Sequence, residues 1–366
     1  MQLKSAMSRR NRPTFFMKRS DRLIARLKHL LYGLRFASQV DGQMIMAWTP
    51  LPNWFQQFDS KDYHVNLIFD IREYYASGGS HDLIFFDSVT PFPAGLLSLQ
   101  GPEFESMRPS KFEREFFLKD NLTVYSGIYH GFQFADEGKS QAALDEEVRE
   151  IYSELPHDPV VARILASAKA RMNTEHYAVL HVRKGDVGEM LKRDLPLLAE
   201  DAVDMKALRL TLGHYVSRTA PFELYYPEIQ KCIDSGLKIL FTSDSPETLA
   251  HFTEKFGPKH FIDINRFVRA RYPIQKAFLD FNMMIGGAKI ISTGSTYAAF
   301  AAMLGGSPLI SVAMTGSVDQ SVQFLFDEYC PALSTDGRVR RLLEAEIESV
   351  YKTKGKVPSP LLAPSG

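Results

Sequence analysis

The sequence contains little cysteine, since only Cys232 and Cys330 occur in 366 residues. Two thiols cannot cross-link a chain of this length into a disulfide scaffold. No spacing of cysteine and histidine is typical of a zinc site either. These absences predict a reducing compartment and a fold that is stabilised by its own apolar core.

Long apolar runs are also absent from the sequence. No stretch of about 18 apolar residues is available for a transmembrane helix. The N-terminal segment MQLKSAMSRRNRPTFFMKRS has no apolar centre like that of a signal peptide. A Golgi enzyme would need a membrane anchor, so we expect either a bacterial cytoplasmic protein or a chain trimmed of its anchor.

The chain has no excess of charge of either sign, because 43 Lys and Arg residues balance 43 Asp and Glu residues. This balance argues against electrostatic binding of nucleic acid, and we predict no nucleic-acid partner. Residues 1–30 differ, with nine Lys or Arg against the single acid Asp21. Such a segment can contact an anionic membrane surface, which would place the protein at the inner face of a membrane. A solvated start to the chain is the simpler interpretation.

Three well-known catalytic motifs are missing as well. The sequence has no G-x-x-x-x-G-K-[ST] loop, no G-x-G-x-x-G fingerprint and no G-x-S-x-G elbow. ATP hydrolysis, dinucleotide chemistry and the nucleophilic chemistry of α/β-hydrolases are therefore disfavoured.

What is present is enough apolar material for two ordinary domains, with 45% hydrophobic and 23% charged residues. In the first half, residues 22–40 show leucines at helical spacing and residues 43–48 (QMIMAW) read as a strand. Further strands are expected within 81–89 and 121–134. Residues 142–172 are predicted to be helical on both sides of the PHDP break.

The second half is more regular, with three predicted units of strand, loop and helix. Their strands are residues 177–182, 237–242 and 288–293. Apolar strands that alternate with helices indicate a parallel α/β sheet, in which ligands bind at the carboxyl ends of the strands. All three strands end in polar residues, so these residues should meet at one edge.

From this pattern we predict three segments. Residues 14–160 form an N-terminal α/β domain, and residues 161–333 form a second, Rossmann-like domain. Residues 334–366 comprise a helix, which in folds of two such domains can cross back to the first, and a disordered tail.

The first strand end reads HVRKGD and carries the most charge. The guanidinium of Arg183 can donate two hydrogen bonds to a phosphate in a way that lysine cannot. His181 lies on the same face of the strand and can donate to a phosphate or serve only in packing. Lys184 points to the other face and should be solvated. Asp186 either caps the next segment or contacts a substrate hydroxyl.

The other two strand ends are polar but nearly uncharged. Asp244, in TSDSPE, is equally well explained as a helix cap or as a ligand-binding residue. In STGSTYAAF, Gly294 allows a close approach of the backbone, and Ser295 and Thr296 offer hydroxyls beside the N–H groups of a helix start. An ordinary cap after a glycine turn is the alternative. Together with Arg183, these groups suit a diphosphate, such as the leaving group of a nucleotide sugar.

Three segments, taken in order, resemble the fucosyltransferase superfamily, which includes nodulation-factor, α1,6-, α1,2- and protein O-fucosyltransferases. HVRKGD is similar to the H-x-R-x-G/T-D segment of that group, and ILFTSDSPETLAHFTEKFG is similar to its strand with TDDP. KAFLDFNMMIGGAKIISTGSTYAAFAAMLGG is similar to its final segment. The resemblance covers residues 177–312, with a weaker match over 26–48.

The resemblance implies a GT-B fold, in which two Rossmann-like domains face a cleft. Residues 14–160 would then be the acceptor-side domain, and residues 161–333 would be the domain that binds the nucleotide sugar. It also implies inverting transfer from GDP-fucose to a glycan acceptor, as in polysaccharide biosynthesis, with no required metal and no cofactor. Carried over by position, Arg183 would neutralise the β-phosphate and His181 would lie beside the nucleotide. Asp280 would bind the guanine edge, and Ser295 and Thr296 would hold phosphate oxygens.

The sequence departs from this family at two places. SDRLIAR stands where a Gly-x-Gly-Asn turn is usual, and the base that accepts the proton of the acceptor is not clearly matched. We expect Glu189 to be that base, followed by Asp186. Two other interpretations remain: the same fold with GDP-mannose or a UDP-sugar as donor, or a non-catalytic relative that binds a glycan or a nucleotide.

Overall fold

The computed structural model describes most of the second half of the chain and parts of the first. The described residues are 13–19, 23–48, 64–76, 83–86, 97–98, 111–118, 123–125, 133–200, 203–243, 245, 247–312 and 317–356. We predicted membrane contact for residues 1–30 and disorder for the tail 354–366. Residues 1–12 and 20–22 of the first segment and 357–366 of the second lie outside this set.

The secondary structure alternates between strands and helices along the chain. The strands are β1 (Thr14–Arg19), β2 (Gln43–Trp48), β3 (Leu83–Phe86), β4 (Leu97–Ser98), β5 (Lys111–Phe112), β6 (Thr123–Tyr125), β7 (Gln133–Phe134), β8 (Tyr177–Val182), β9 (Lys238–Ser243), β10 (Phe261–Asp263), β11 (Lys289–Ser292) and β12 (Leu309–Ser311). The α-helices are Leu23–Ser38, Ile71–Ala76, Arg114–Phe117, Gln141–Glu154, Pro159–Met172, Gly185–Ala199, Met205–Arg218, Tyr226–Asp234, Glu247–Phe256, Pro273–Ile285, Thr296–Gly305, Val318–Tyr329 and Gly337–Lys356. Among the described residues, no helix combines the length and the apolar content that crossing a membrane requires.

The contacts divide the chain into two compact units. The first comprises Met1–Ala168 and Val268–Asn282, and the second comprises Lys169–Phe267 and Met283–Gly366. In this grouping, Val268–Asn282 belong with the first unit although they lie between segments of the second. Our division of the chain at residue 161 stays a prediction.

The first unit contains a five-stranded sheet in the order β3-β2-β1-β6-β4, in which each strand pairs in parallel with its neighbours. The helix Leu23–Ser38 packs on this sheet and is buried along nearly its whole length. Its Arg35 is only 1% exposed and forms ion pairs with Glu137 and Glu147. A buried arginine of this kind is stable only when carboxylates compensate its charge.

The second unit contains another parallel sheet, with the order β10-β9-β8-β11-β12. Numbered within this unit, the order is 3-2-1-4-5, which is that of a doubly wound fold. The chain moves outward from β8 through β9 to β10 and then crosses back to β11 on the other side of β8. The strand order therefore reverses between β8 and β11, and the crevice at such a point is where these sheets bind ligands.

Four helices form an apolar cluster in the second unit. They are Gly185–Ala199, Met205–Arg218, Val318–Tyr329 and Gly337–Lys356, which contribute buried residues such as Leu191, Leu212, Phe326 and Leu343. The last helix therefore packs on the second unit through Val339, Leu343 and Ile347.

The predicted α/β fold class is confirmed, since both units are built on parallel sheets with helices between the strands. The bounds of β2 and of the helix Glu247–Phe256 agree with those expected from the sequence. Residues 142–172 form two helices on either side of residues 155–158, as expected. The helix of the first predicted unit had no predicted bounds, and the structure shows it as Gly185–Ala199. It begins within the segment RKGD, which was expected to be a loop, and it contains Pro196.

Candidate functional site

The candidate site lies at the carboxyl edge of the second sheet, where the strand order reverses. In the register of this sheet, His181 of β8 is opposite Thr242 of β9 on one side and Ser292 of β11 on the other. The three polar strand ends that we identified in the sequence therefore belong to neighbouring strands. The structure brings two of them, at His181 and at Ser295, into direct contact.

His181 is the centre of this contact. Its Nδ1 lies 3.0 Å from Oγ1 of Thr242, and its Nε2 lies 3.2 Å from Oγ of Ser295. The ring is buried and stacks on Tyr297, with ring centroids 5.4 Å apart. One histidine thus links the ends of three strands, which explains its position in the HVRKGD segment more specifically than packing alone.

The imidazole of His181 is neutral at physiological pH. Burial lowers its pKa to about 3, and the positive charge of Arg183 lowers it further. A neutral imidazole has one N–H donor and one acceptor nitrogen. One neighbouring hydroxyl must then donate to the ring while the other accepts from it.

This constraint determines when the hydroxyl of Ser295 can donate a hydrogen bond to an anion. A phosphate oxygen accepts hydrogen bonds, so Ser295 can donate to it only when Nε2–H of His181 donates to the Ser295 oxygen. Thr242 must then donate to Nδ1, although its hydroxyl also has the sulfur of Met284 at 3.8 Å as a weak acceptor. Thr242 therefore controls which hydroxyl proton is available at the site.

We predict that His181 makes the stability of the protein depend on pH. Its pKa is lower in the folded chain than the usual value of 6.5, so the unfolded chain binds one more proton between the two values. The stabilisation is complete above the unfolded pKa and is lost as the pH falls from there towards 3, by up to about 1.4 kcal/mol per pH unit. Urea unfolding of the wild type and of His181→Gln between pH 7 and pH 4 measures this effect.

The comparison between the two proteins isolates His181 from the other histidines. The free energies of unfolding should differ most near pH 7, and the difference should shrink as the pH falls. Parallel pH profiles of the wild type and the variant would show that His181 is not buried in its neutral form.

The turn after β11 leads directly into the helix Thr296–Gly305. The N–H groups of Thr296, Tyr297 and Ala298 occupy its first turn, where no carbonyl of the same helix can accept from them. Ser295 is the residue before this turn, but its side chain does not cap the helix and instead contacts His181. Helix N–H groups, the hydroxyl of Thr296 and a positive helix end together form a site that suits an anion.

Gly294 is required by the packing of the protein itself, and its role towards a ligand stays a prediction. A Cβ at this position would lie 2.2 Å from the carbonyl oxygen of Ser217, which accepts a hydrogen bond from the Gly294 N–H at 3.0 Å. The hydroxyl of Thr293 donates to the carbonyl oxygen of Arg218 at 2.7 Å. The close approach is therefore made by the end of the helix Met205–Arg218, which fixes the turn in place.

Arg183 follows the last residue of β8 and is half-buried. Its charge acts on His181, which places it beside the cluster. Lys184 was expected to be solvated, but its side chain is only 19% exposed and forms an ion pair with Glu328. The expectation was wrong because the strand ends at Val182, so the alternation of faces does not continue to Lys184.

Three further predicted residues have different outcomes. The side chain of Glu189 is 78% exposed and lies 3.7 Å from Lys192 on the surface of its helix. Asp186 is in the first turn of the same helix, but its side chain lies outside the described set. Asp244 is also outside the described residues. The proton-accepting role of Glu189 or Asp186 and the ligand role of Asp244 stay predictions.

Asp280, predicted to bind a guanine edge, belongs by its contacts to the first unit. Its carboxylate forms an ion pair with Lys276, and its side chain is 21% exposed. Burial raises the pKa of Asp280, while the charge and hydrogen bond of Lys276 oppose that rise. The carboxylate therefore already has one donor, and its role towards a nucleobase stays a prediction.

Sequence reasoning missed several residues of this edge. Thr242, Tyr297 and Glu328 all contact residues that we had identified, yet none was singled out. Thr242 could have been found, because it directly follows the apolar run ILF in a strand that was predicted to neighbour β8. Nothing in the local sequence of Glu328 indicates that it pairs with Lys184.

No protein-family model matches this sequence, and no curated protein matches it. The structure is similar to solved fucosyltransferases. One is the fucosyltransferase NodZ from Bradyrhizobium, with 14% identity, a TM-score of 0.45, and coverage of 82% of this chain and 96% of that one. Another is POFUT1 in complex with GDP-fucose, with 11% identity, a TM-score of 0.44, and coverage of 82% and 97%. A third is NodZ α-1,6-fucosyltransferase soaked with GDP-fucose, with 15% identity, a TM-score of 0.42, and coverage of 82% and 94%.

At this level of identity and TM-score, the likeness concerns the arrangement of the elements only. The class that the fold and the site define is that of a doubly wound α/β protein, with polar side chains at the carboxyl edge of the sheet in its second unit.

Proposed function

We propose that this protein is an inverting glycosyltransferase that transfers fucose from GDP-fucose to a glycan acceptor. The observation that carries the proposal is the position of Arg183, the His181–Ser295 contact and the start of the helix Thr296–Gly305 at one reversal point of a parallel sheet. A cation beside the N–H groups of a helix start suits a diphosphate. The resemblance of HVRKGD to the H-x-R-x-G/T-D segment supports the same assignment.

In the proposed reaction, the acceptor hydroxyl attacks the anomeric carbon of the sugar and the bond from this carbon to the β-phosphate oxygen breaks. The electron pair leaves with GDP, and a carboxylate takes the proton of the hydroxyl. Arg183 stabilises the negative charge that develops on the departing diphosphate. Glu189 or Asp186 accepts the proton, and the acceptor is bound on the side of residues 14–160.

The N–H groups of Thr296, Tyr297 and Ala298 hold the phosphate oxygens, together with the hydroxyls of Ser295 and Thr296. His181 stays neutral and orients Ser295, so its contribution is a hydrogen bond and not a charge. Asp280 binds the guanine edge. We further propose that the reaction needs no metal and takes place in the cytoplasm, where the basic residues of segment 1–12 can contact the inner membrane face. The rest of the basic segment 1–30 is less suited to this contact, because Arg26 and Lys28 are buried.

A second candidate donor is favoured by one observation. The carboxylate of Asp280 is bound to Lys276, which leaves fewer of its lone pairs for the N1 and N2 donors of guanine. The same diphosphate site would serve a UDP-sugar equally well. The base pocket, and not the strand ends, distinguishes these donors.

The experiment that tests the proposal measures nucleotide release at high protein concentration from GDP-fucose, GDP-mannose and a UDP-sugar, with and without a chelator. We expect GDP release from GDP-fucose above the rate without protein, and an unchanged rate with the chelator. Release of UDP alone would keep the transferase and replace the donor. No release from any donor would favour a non-catalytic protein that binds a nucleotide or a glycan.

A further inference from the structure

The residue directly after Arg183 is held from two sides. Nζ of Lys184 lies 2.5 Å from Oε2 of Glu328 and 4.8 Å from the ring centroid of Phe222. An ammonium that pairs with a carboxylate and lies over an aromatic face loses much of the freedom of its long side chain. Lys184 therefore connects the end of β8 to two other segments of the second unit.

The end of the helix Val318–Tyr329 contacts the same turn at a second point. A Cβ at Gly188 would lie 2.9 Å from Cε1 of Tyr329, so the backbone of the first helical turn lies directly on that ring. The N–H of Gly188 donates to the carbonyl oxygen of Lys184 at 2.9 Å. Lys184 is thus linked to Glu328 through its side chain. Its backbone is linked to Tyr329 through Gly188.

These contacts surround a small pocket beside Arg183. Arg183, Lys184, Phe222, Glu328 and Tyr329 are among the residues that line it. The direction in which the Arg183 side chain leaves the backbone depends on the residue that follows it. A turn fixed at Lys184 therefore limits the positions that the guanidinium of Arg183 can reach.

We propose that the ion pair between Lys184 and Glu328 positions Arg183 for the diphosphate, and that Lys184 itself does not bind the phosphates. This inference rests on the proposed function, because it assigns Arg183 to a nucleotide diphosphate. Lys184 and Glu328 are then positioning residues that act as one unit. Removal of either should have the same effect, since each loss releases the same turn.

The test compares Lys184→Met, Glu328→Gln and the double variant by calorimetric titration with GDP and by GDP-fucose turnover. Because displacements near 1 Å at a reacting centre can cost up to about a hundredfold, we expect each single variant to lower kcat/KM roughly tenfold. The double variant should lose no more than either single variant, as expected for two residues of one interaction. Lys184→Arg keeps the pair and should retain most of the activity.

Glu346→Gln is the matched control. It breaks another ion pair between helices of the second unit, that of Glu346 with Arg209, which does not involve the turn after β8. This variant should bind GDP like the wild type. Thermal unfolding of every variant verifies that each one is folded at the temperature of the titration.

The direction in which Glu328→Gln changes GDP affinity distinguishes a positioning role of Lys184 from direct binding of the phosphates by Lys184. If Lys184 contacted the phosphates, removal of its carboxylate partner would leave GDP affinity unchanged or higher, while Lys184→Met would lower it. That pattern, or equal GDP affinity in all variants, would overturn the inference. A wild-type protein that binds no GDP would contradict the proposed function itself. Failure of the inference is seen only in the variants, so it can be distinguished from failure of the proposed function.

Discussion

Replacement of Arg183 by alanine is expected to lower GDP-fucose turnover by about a thousandfold, the scale of a lost charge-stabilising group at a reacting centre. Arg183 is the cation at the end of β8, and its charge already acts on His181 within the same edge. Without it, the developing charge on the leaving diphosphate has only hydroxyls and N–H groups to stabilise it. GDP release from the variant and from the wild type, under the same conditions, measures the loss.

Two further variants are controls for the Arg183→Ala result. Arg183→Lys keeps the charge but not the planar pair of donors, and it should recover only part of the activity. Arg209→Ala removes an exposed arginine of the same unit and should leave turnover unchanged. Wild-type turnover in a folded Arg183→Ala protein would remove Arg183 from the mechanism.

Replacement of Gly294 by alanine is expected to have the largest effect on stability. The added Cβ would lie 2.2 Å from the carbonyl oxygen of Ser217, which is a backbone atom that a rotamer change cannot move. Overpacking of a well-packed site costs about 1–3 kcal/mol, and we expect the upper end of this range for a backbone clash. Urea unfolding measures the loss, and GDP affinity should fall as well because the turn carries Ser295.

Gly213 is the matched control for this prediction. It lies in the helix Met205–Arg218, and a Cβ there would meet no atom within 4 Å. Gly213→Ala should be neutral or stabilise the protein by about 0.5–1 kcal/mol, since alanine is the better helix former. Equal stability of the Gly294→Ala variant and the wild type would show that the turn after β11 is not packed as described.

The sequence was most informative where local periodicity determines structure. The strand Gln43–Trp48 and the helix Glu247–Phe256 were predicted with their correct bounds, because apolar residues at strand or helix spacing are followed by clear turn signals. The three polar strand ends of the second half were correctly assigned to neighbouring parallel strands. The rule that parallel strands end at one edge was sufficient for that step.

Contacts between segments far apart in the sequence could not be predicted in the same way. The pairing of Lys184 with Glu328 joins the start of one helix to the end of another, and neither residue stands in a motif. The sequence predicted that Gly294 allows a close approach of the backbone, but it did not indicate that Ser217 is the residue that approaches it. Both features depend on how helices pack on the sheet, which periodicity does not specify.

The chemistry of His181 also needed the structure. A histidine in HVRKGD can be a charged donor to phosphate or a neutral packing residue, and the sequence left both open. Its complete burial between Thr242 and Ser295, beside the charge of Arg183, makes it neutral. The structure does not identify the proton acceptor in the same way as it explains His181. Glu189 lies on an exposed helix surface, and its contact with Lys192 does not indicate a catalytic role.

The most direct test of the account is calorimetric titration of the wild type and of Arg183→Ala with GDP, UDP and ADP. We expect the wild type to bind GDP in preference to the other two nucleotides, and we expect Arg183→Ala to lose GDP binding. GDP binding of equal strength in both proteins, or no binding of any nucleotide by the wild type, would contradict the assignment of this edge to a nucleotide diphosphate.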